Sequence, residues 1–368
     1  MAELLKNIYN TRFFDTFKNA LEQSLPEFDK ALFMERIYDD LWEKRELKQR
    51  MKHIAAVLES FLQNDYEHKI ATLLDIIANL RKSEVQVNSL EYMLFPEFIE
   101  MYGLDHFEVS MKAIELVTQF TSCEFAIRPF IKRYPVETMA WMSHWSLHPS
   151  HLVRRFASEG CRPRLPWAMA LPDLKTDPSP VLVILENLKA DPSEFVRRSV
   201  ANNLNDIAKD HPDTVIAIAR KWKGSSIETD RLIKHGCRSL LKRAHPDALD
   251  LFGLSAKVKC SVQDLKITRQ VIREGDHLEF SFQLFHEESS ALKLRIEYAI
   301  YYMKANGKPA RKLFKITENT YHGESVYQFT RKQSFKNMTT RKHYPGNHKL
   351  VVVINGNELA EHNFMLEN

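Results

Sequence analysis

The residues able to do chemistry crowd into one stretch of the chain. Cys123-Glu124-Phe125-Ala126-Ile127-Arg128-Pro129-Phe130 is followed by Trp141 and Trp145, and then by a run from Arg154 to Trp167 that holds Arg155, Glu159, Arg162 and Arg164. A buried acid needs partners and tryptophan is normally a sparse core residue, so this density is costly without a purpose. Aromatic faces attract cations, and carboxylates stabilise a developing positive charge or hold a water molecule. Trp141 and Trp145 are expected in the core. The pair Arg155 and Glu159, spaced i,i+4, is open to a blander reading as a local ion pair worth a few tenths of a kcal/mol. Other chemistries lack their residues. There is no Gly-x-Ser-x-Gly elbow, no Walker-type phosphate loop, and the four cysteines Cys123, Cys161, Cys237 and Cys260 form no CxxC pair. Free thiols, no metal and no cofactor are expected.

The elements that must position these residues are helical. Only four of the ten glycines (Gly103, Gly160, Gly224, Gly236) fall in the first 250 positions. Apolar residues there recur at helical spacing, as in Ile70, Leu73, Leu74 and Ile77, with prolines mostly where one helix would stop and the next begin. Within this half a segment repeats. His148-Pro149-Ser150 precedes Leu152-Val153-Arg154-Arg155-Phe156-Ala157, and Asp191-Pro192-Ser193 precedes Phe195-Val196-Arg197-Arg198-Ser199-Val200-Ala201, 43 residues later. A weaker third copy starts near Arg231 and runs to Leu241. That period fits HEAT-type hairpins, each of which buries its face only against its neighbours, and predicts a helical solenoid.

After Leu254 the pattern changes to period two, through Leu278, Phe280, Phe282 and Leu284 and again through Leu292, Leu294, Ile296 and Tyr298. Asn306-Gly307 and Asn355-Gly356 lie between apolar runs and predict hairpins. The chain is thus mainly α, with a HEAT-like α-helical solenoid over residues 1–252 and an immunoglobulin-like β-sandwich over 258–368.

Charge distribution points to a partner. Residues 128–167 hold seven lysines and arginines against two acids, 189–243 hold twelve against seven, and 325–348 hold five against none. The whole chain is only +4, so the remaining sequence is net negative and the positive charge is segregated, as a polyanion such as DNA or RNA requires. Arginine pairs at one repeat position would line one edge of the solenoid as a ladder for phosphates, although some repeat arginines serve only to pair with an acid on the next helix. No run of about 18 apolar residues occurs and the N-terminus is charged, so neither a membrane span nor a signal peptide is expected, and a cytoplasmic monomer is.

In three segments the sequence resembles the AlkC branch of the HEAT-like-repeat DNA alkylation repair glycosylases: Phe125 to Phe130, Arg154 to Ala168, and Val196 to Asp206. The likeness extends over the whole chain, because that branch is similar in adding an Ig-like domain, here carrying the stretch 339–346. The resemblance implies hydrolysis of the N-glycosidic bond of cationic lesions such as 3-methyladenine and 3-methylcytosine in duplex DNA, without swinging the base into a deep pocket. It implies that Glu124 and Glu159 lie near the lesion, that Trp167 faces the deoxyribose, and that Asp206 stabilises charge and orients water. It assigns Arg128, Arg154, Arg155, Arg162, Arg164, Arg197, Arg198, Lys234 and Arg238 to the DNA or to the orientation of the acids, and Arg341, Lys342 and His343 of the β domain to the minor groove. No obligate protein partner is implied. Two rival readings are a noncatalytic HEAT-repeat protein that recognises bent or branched DNA, and a HEAT scaffold for an acidic protein.

Overall fold

The computed structural model describes residues 4–83, 85–255, 257–337 and 342–367. Its helices are α1 (Thr11–Ser24), α2 (Lys30–Ile37), α3 (Leu47–Glu59), α4 (Tyr66–Lys82), α5 (Leu94–Tyr102), α6 (Phe107–Thr118), α7 (Ile127–Arg133), α8 (Pro135–Trp145), α9 (His151–Gly160), α10 (Pro172–Thr176), α11 (Ser179–Leu188), α12 (Glu194–Ile207), α13 (Pro212–Trp222), α14 (Ile227–Gly236), α15 (Arg238–Lys242) and α16 (Pro246–Leu251). The prolines fall as expected: Pro135, Pro172, Pro212 and Pro246 each open a helix. A missing N–H costs nothing there, because the first turn has no partner for it. Among the described residues no helix is long and apolar enough to cross a membrane.

Contacts divide the chain into two compact units, one of Met1–His211 with Trp222–Gly236, the other of Pro212–Lys221 with Cys237–Asn368. In the first, the repeat-bearing helices α9 and α12 pack on each other, α14 packs on α12, and α11 packs against α8, α9 and α12. Their contact faces are the completely buried Val153, Phe156 and Ala157 of α9 and Val196 and Val200 of α12. Each of these side chains removes roughly 1.5–3 kcal/mol worth of apolar surface from water, apart from the smaller alanine.

The second unit carries strands β1 (Cys260–Ile267), β2 (Val271–Arg273), β3 (His277–His286), β4 (Leu292–Met303), β5 (Pro309–Tyr321), β6 (Ser325–Ser334), β7 (Gly346–Ile354) and β8 (Asn357–Glu367). They form a three-stranded sheet in the order β1-β3-β6 and a five-stranded sheet in the order β2-β8-β7-β4-β5. Phe280, Phe282 and Leu284 of the first sheet and Leu294, Ile296, Leu350 and Val352 of the second share one core, so the expected sandwich is present. Asn355-Gly356 makes the predicted tight turn with φ of +45° and +86°. Gly356 is required twice over, since a Cβ there would lie 2.3 Å from the Cβ of Ala244.

Two expectations are corrected. The in-out alternation holds for β3 but not for β4, which is buried on both faces from Leu294 to Ile300. The reason is that its second face is also covered, by side chains of the neighbouring strands β5 and β7. Its second face holds Ala299 with Val351 and Val353, and a buried ion cluster in which Arg295 bridges Glu297 at 2.6 Å and Glu318 at 3.2 Å. Next to it Lys293 donates to the Phe252 carbonyl and Asn355 to that of Ser255. The segment α15–α16, helical in sequence, therefore belongs with the strands.

Candidate active site

Three helix ends and one loop of the first unit assemble the site. Glu124 stands just before α7, Arg155 and Glu159 lie one turn apart on α9, Arg162 lies in the loop after α9, and Asp206 lies in the last turn of α12. The Arg155 guanidinium reaches Glu124 Oε2, which also accepts from Ser122 Oγ at 2.8 Å. Its other nitrogen is 3.6 Å from Glu159 Oε1. Arg162 Nη1 donates to the same Glu159 oxygen at 2.6 Å while its Nε donates to Asp206 Oδ2 at 2.9 Å. Ser199 Oγ donates to Glu159 Oε2 at 2.6 Å, and Lys209 Nζ to Asp206 Oδ1 at 2.9 Å.

The result is an alternating chain, Glu124, Arg155, Glu159, Arg162, Asp206, Lys209, in which every acid touches a cation. Repulsion between neighbouring carboxylates is thereby replaced by charge-assisted bonds, which are about twice as strong as neutral ones. Burial opposes the charge on Arg162, but Glu159 and Asp206 outweigh it and hold its pKa above the ordinary arginine value. Accessibility is graded along the chain: the side chains of Glu124, Glu159 and Asp206 are 15%, 7% and 3% exposed. Among the described residues, Glu124 Oε1 accepts no hydrogen bond, whereas both oxygens of the other two acids are occupied.

Trp167 has the opposite character. It is 63% exposed, and its φ is +65°. A left-handed backbone costs a non-glycine residue of this bulk roughly 1–2 kcal/mol and persists only where the surroundings impose it. Arg128 is one such constraint. The expectation that it faces DNA is corrected: it is completely buried. From there it ties down both ends of the Trp167 loop, donating to the carbonyls of Gly160 and Arg162 at 2.9 Å and of Met169 at 2.6 Å. Burial lowers its pKa to about 10. Gly160 lets α9 approach α7, since a Cβ there would lie 2.8 Å from Ile127. Cys161 is inert: burial pushes its thiol up to about 12. Trp145 is buried as expected, with Nε1 on Glu115, and Trp141 is half-buried beside it.

The comparisons with known proteins bear on this arrangement. Residues 34–226, which include all three acids and Trp167, match the family model described as DNA alkylation repair enzyme. The chain belongs to the DNA alkylation repair enzyme family. Residues 261–368 match the C-terminal Ig-like domain of the uncharacterised protein YhaZ. YhaZ of Bacillus subtilis (strain 168) is 42% identical over 356 residues, 97% of each chain. The alkylpurine DNA glycosylase AlkC of Pseudomonas fluorescens, solved bound to DNA containing an abasic site analog, is 35% identical with a TM-score of 0.94 over 100% of both chains.

In this member of the alkylation repair family the remaining predicted cations have diverse places. Arg154 donates to the His148 and Pro149 carbonyls and grips Asp191 through two nitrogens at 2.6 and 3.1 Å. Arg197 repeats the first of these contacts 43 residues on, donating to the Asp191 and Pro192 carbonyls at 2.6 and 2.9 Å. The first arginine of each pair is thus taken up by the loop before its own helix, and an all-arginine ladder is not what the structure displays. Of the second arginines, Arg155 enters the site and Arg198 is exposed beside Glu194. Arg164 chelates Asp210 at 2.6 and 2.8 Å. Lys234 is in the first unit and Arg238 in the second, both half-buried with partners of their own. In the β unit Lys342 is exposed, while Arg341 lies outside the described residues. His343, expected to meet DNA, is corrected to a core residue: it is 3% exposed, with its ring 5.1 Å from Phe335 and 5.3 Å from Tyr302. Sequence reasoning missed Ser122, Ser199, Lys209 and Lys48. Ser199 and Lys209 were legible in principle, since Lys209 is three residues after Asp206 and Ser199 follows the second Arg-Arg pair.

Proposed function

We propose that the chain is a DNA glycosylase that hydrolyses the N-glycosidic bond of cationic alkylated bases, 3-methyladenine and 3-methylcytosine foremost, in duplex DNA and without drawing the base into a pocket. The observation that carries this reading is the acid–arginine chain ending at Glu124, in the same unit as an exposed, conformationally constrained Trp167. A cavity of about 400 Å³ does exist in the first unit, between α7–α8 and α10–α11, but its lining is mainly apolar (Ile131, Pro135, Met139, Leu171, Leu174), with Asp173 and Asp177, and includes none of Glu124, Glu159 and Asp206. We read α9, α12 and α14 as consecutive turns of a HEAT-like solenoid that presents this site to the duplex, and the protein as a cytoplasmic monomer.

A base that carries a formal positive charge takes the bonding electrons with it and leaves neutral, so no proton donor is needed. What remains is the sugar, which becomes positive as the C1′–N bond lengthens. Trp167 offers an indole face to that charge and Glu124 Oε1 an open acceptor. The same oxygen orients a water whose oxygen bonds to C1′ and whose proton passes to the carboxylate or to solvent. Glu159 and Asp206 act behind it: through Arg162 and Arg155 they fix where the Glu124 charge sits, which is preorganised electrostatic stabilisation.

The test is release of free methylated base from methylated duplex DNA, with 3-methyladenine and 7-methylguanine separated chromatographically, for wild type, Glu124→Gln and Asp206→Asn. Removal of one preorganised charge should lower release by about 100- to 1,000-fold. Wild type that binds duplex yet releases nothing would leave a noncatalytic DNA-binding protein in its place.

A further inference from the structure

We propose that Lys48, on the first turn of α3, is a positioning residue that holds Trp167 in its left-handed backbone conformation and so aims the indole at the DNA. The inference deepens the glycosylase reading above and rests on it only for the role of Trp167. Lys48 Nζ donates to the Trp167 carbonyl at 3.0 Å, across 119 residues of sequence. The same ammonium lies 4.5 Å above the ring of Phe125, the neighbour of Glu124. One cation thus touches the Trp167 backbone and the residue next to the open carboxylate. Arg128 secures the two ends of the Trp167 loop from inside but does not touch residue 167 itself. The bond from a cationic donor to the Trp167 carbonyl is charge-assisted, and so ties residue 167 to α3 in the left-handed conformation it adopts.

Lys48 is exposed and makes no ion pair of 4 Å or less among the described residues, so fixing its side chain needs another reason than solubility. It sits in the field of Glu97 and Glu100 of α5, the helix against which α3 packs. These acids attract the ammonium without binding it, and the carbonyl and the aromatic face then select its place.

The experiment uses the full-length protein, with Lys48→Met to remove the charge while keeping the stem and Lys48→Arg to restore a cation able to donate and to lie on Phe125. The Trp167 contribution to fluorescence is isolated by subtracting a Trp167→Phe spectrum in each background. The expected result is that Lys48→Met makes Trp167 more accessible to acrylamide and lowers kcat for base release about 10- to 100-fold with KM within about twofold of wild type, while Lys48→Arg recovers both signals. Unchanged Trp167 quenching in Lys48→Met would overturn the proposal. So would a loss confined to KM with a salt slope reduced by about 1, because that is the mark of a phosphate contact. If wild type releases no base, the glycosylase reading fails while the quenching comparison still decides the role of Lys48.

Discussion

Replacing Glu100 with glutamine should stabilise the protein at neutral and alkaline pH and leave it unaffected in acid. Glu100 lies half-buried on α5, and burial, reinforced by the nearby charge of Glu97, pushes its carboxyl up to about 7; Lys48 and Lys52 pull the other way without prevailing. An unfolded glutamate titrates near 4.3. Between these values the folded protein binds more protons than the unfolded chain, so stability falls as pH rises from about 4.5 to about 7 and is then constant. Each pKa unit corresponds to about 1.4 kcal/mol, which gives about 3 kcal/mol for the full shift and about 2 kcal/mol once partial solvent access is allowed for. Glutamine carries no charge at any pH and should escape this loss. The assay is urea unfolding followed by helical circular dichroism at pH 4.5, 6 and 8. With a slope of about 3 kcal/mol/M the variant's midpoint should exceed that of wild type by roughly 0.7 M at pH 8 and coincide with it at pH 4.5. A midpoint difference independent of pH, or a less stable variant at pH 8, would refute the assignment of a strained carboxylate on α5.

Trp167→Ala should abolish base release yet change the unfolding midpoint little, because the indole is 63% exposed and contributes little burial; a large loss of stability would show it to be a packing residue. Arg128→Met should destabilise by about 3–5 kcal/mol in the same urea assay, since it leaves the carbonyls of Gly160, Arg162 and Met169 without their donor in a dry interior. Arg198→Ala, at an exposed position, should leave stability within about 0.5 kcal/mol and reduce the salt slope of duplex binding by about 1, whereas Arg197→Ala should cost about 1–3 kcal/mol of stability and leave that slope alone, both read by fluorescence anisotropy and denaturation. Gly356→Ala should cost at least about 1 kcal/mol through its positive φ and the contact with Ala244, measured as a drop in thermal midpoint.

Helix and strand content, the change of pattern near residue 254, the hairpin at Asn355-Gly356 and the crowding of acids with arginines were legible because each rests on local rules: periodicity, turn chemistry, spacing. What local rules do not carry is partner choice. Arg128 sits in an Arg-rich run and reads as one more surface cation, but three backbone carbonyls converge on it from a loop more than thirty residues away. His343 sits in an acid-free basic run, and only the folding of β4 and of Phe335, just past the end of β6, beside it makes it aromatic core. Arg154 and Arg155 are adjacent and alike in sequence, and helical geometry sends one back to its own loop and the other into the acid chain. Lys48 has no signal of its own, since a lysine on the first turn of an amphipathic helix is ordinary and its contact lies 119 residues away.

The hooks made by Arg154 and Arg197 have an implication for how such an array can grow. Each fastens a loop five or six residues upstream, and in each loop the residue preceding the proline, His148 or Asp191, also accepts the backbone N–H of the following serine. A segment of this kind brings its own clasp. A copy inserted by tandem duplication would close its turn before finding its neighbours, so that lengthening the array requires new side-chain fits along the helix faces but no new solution for the corners.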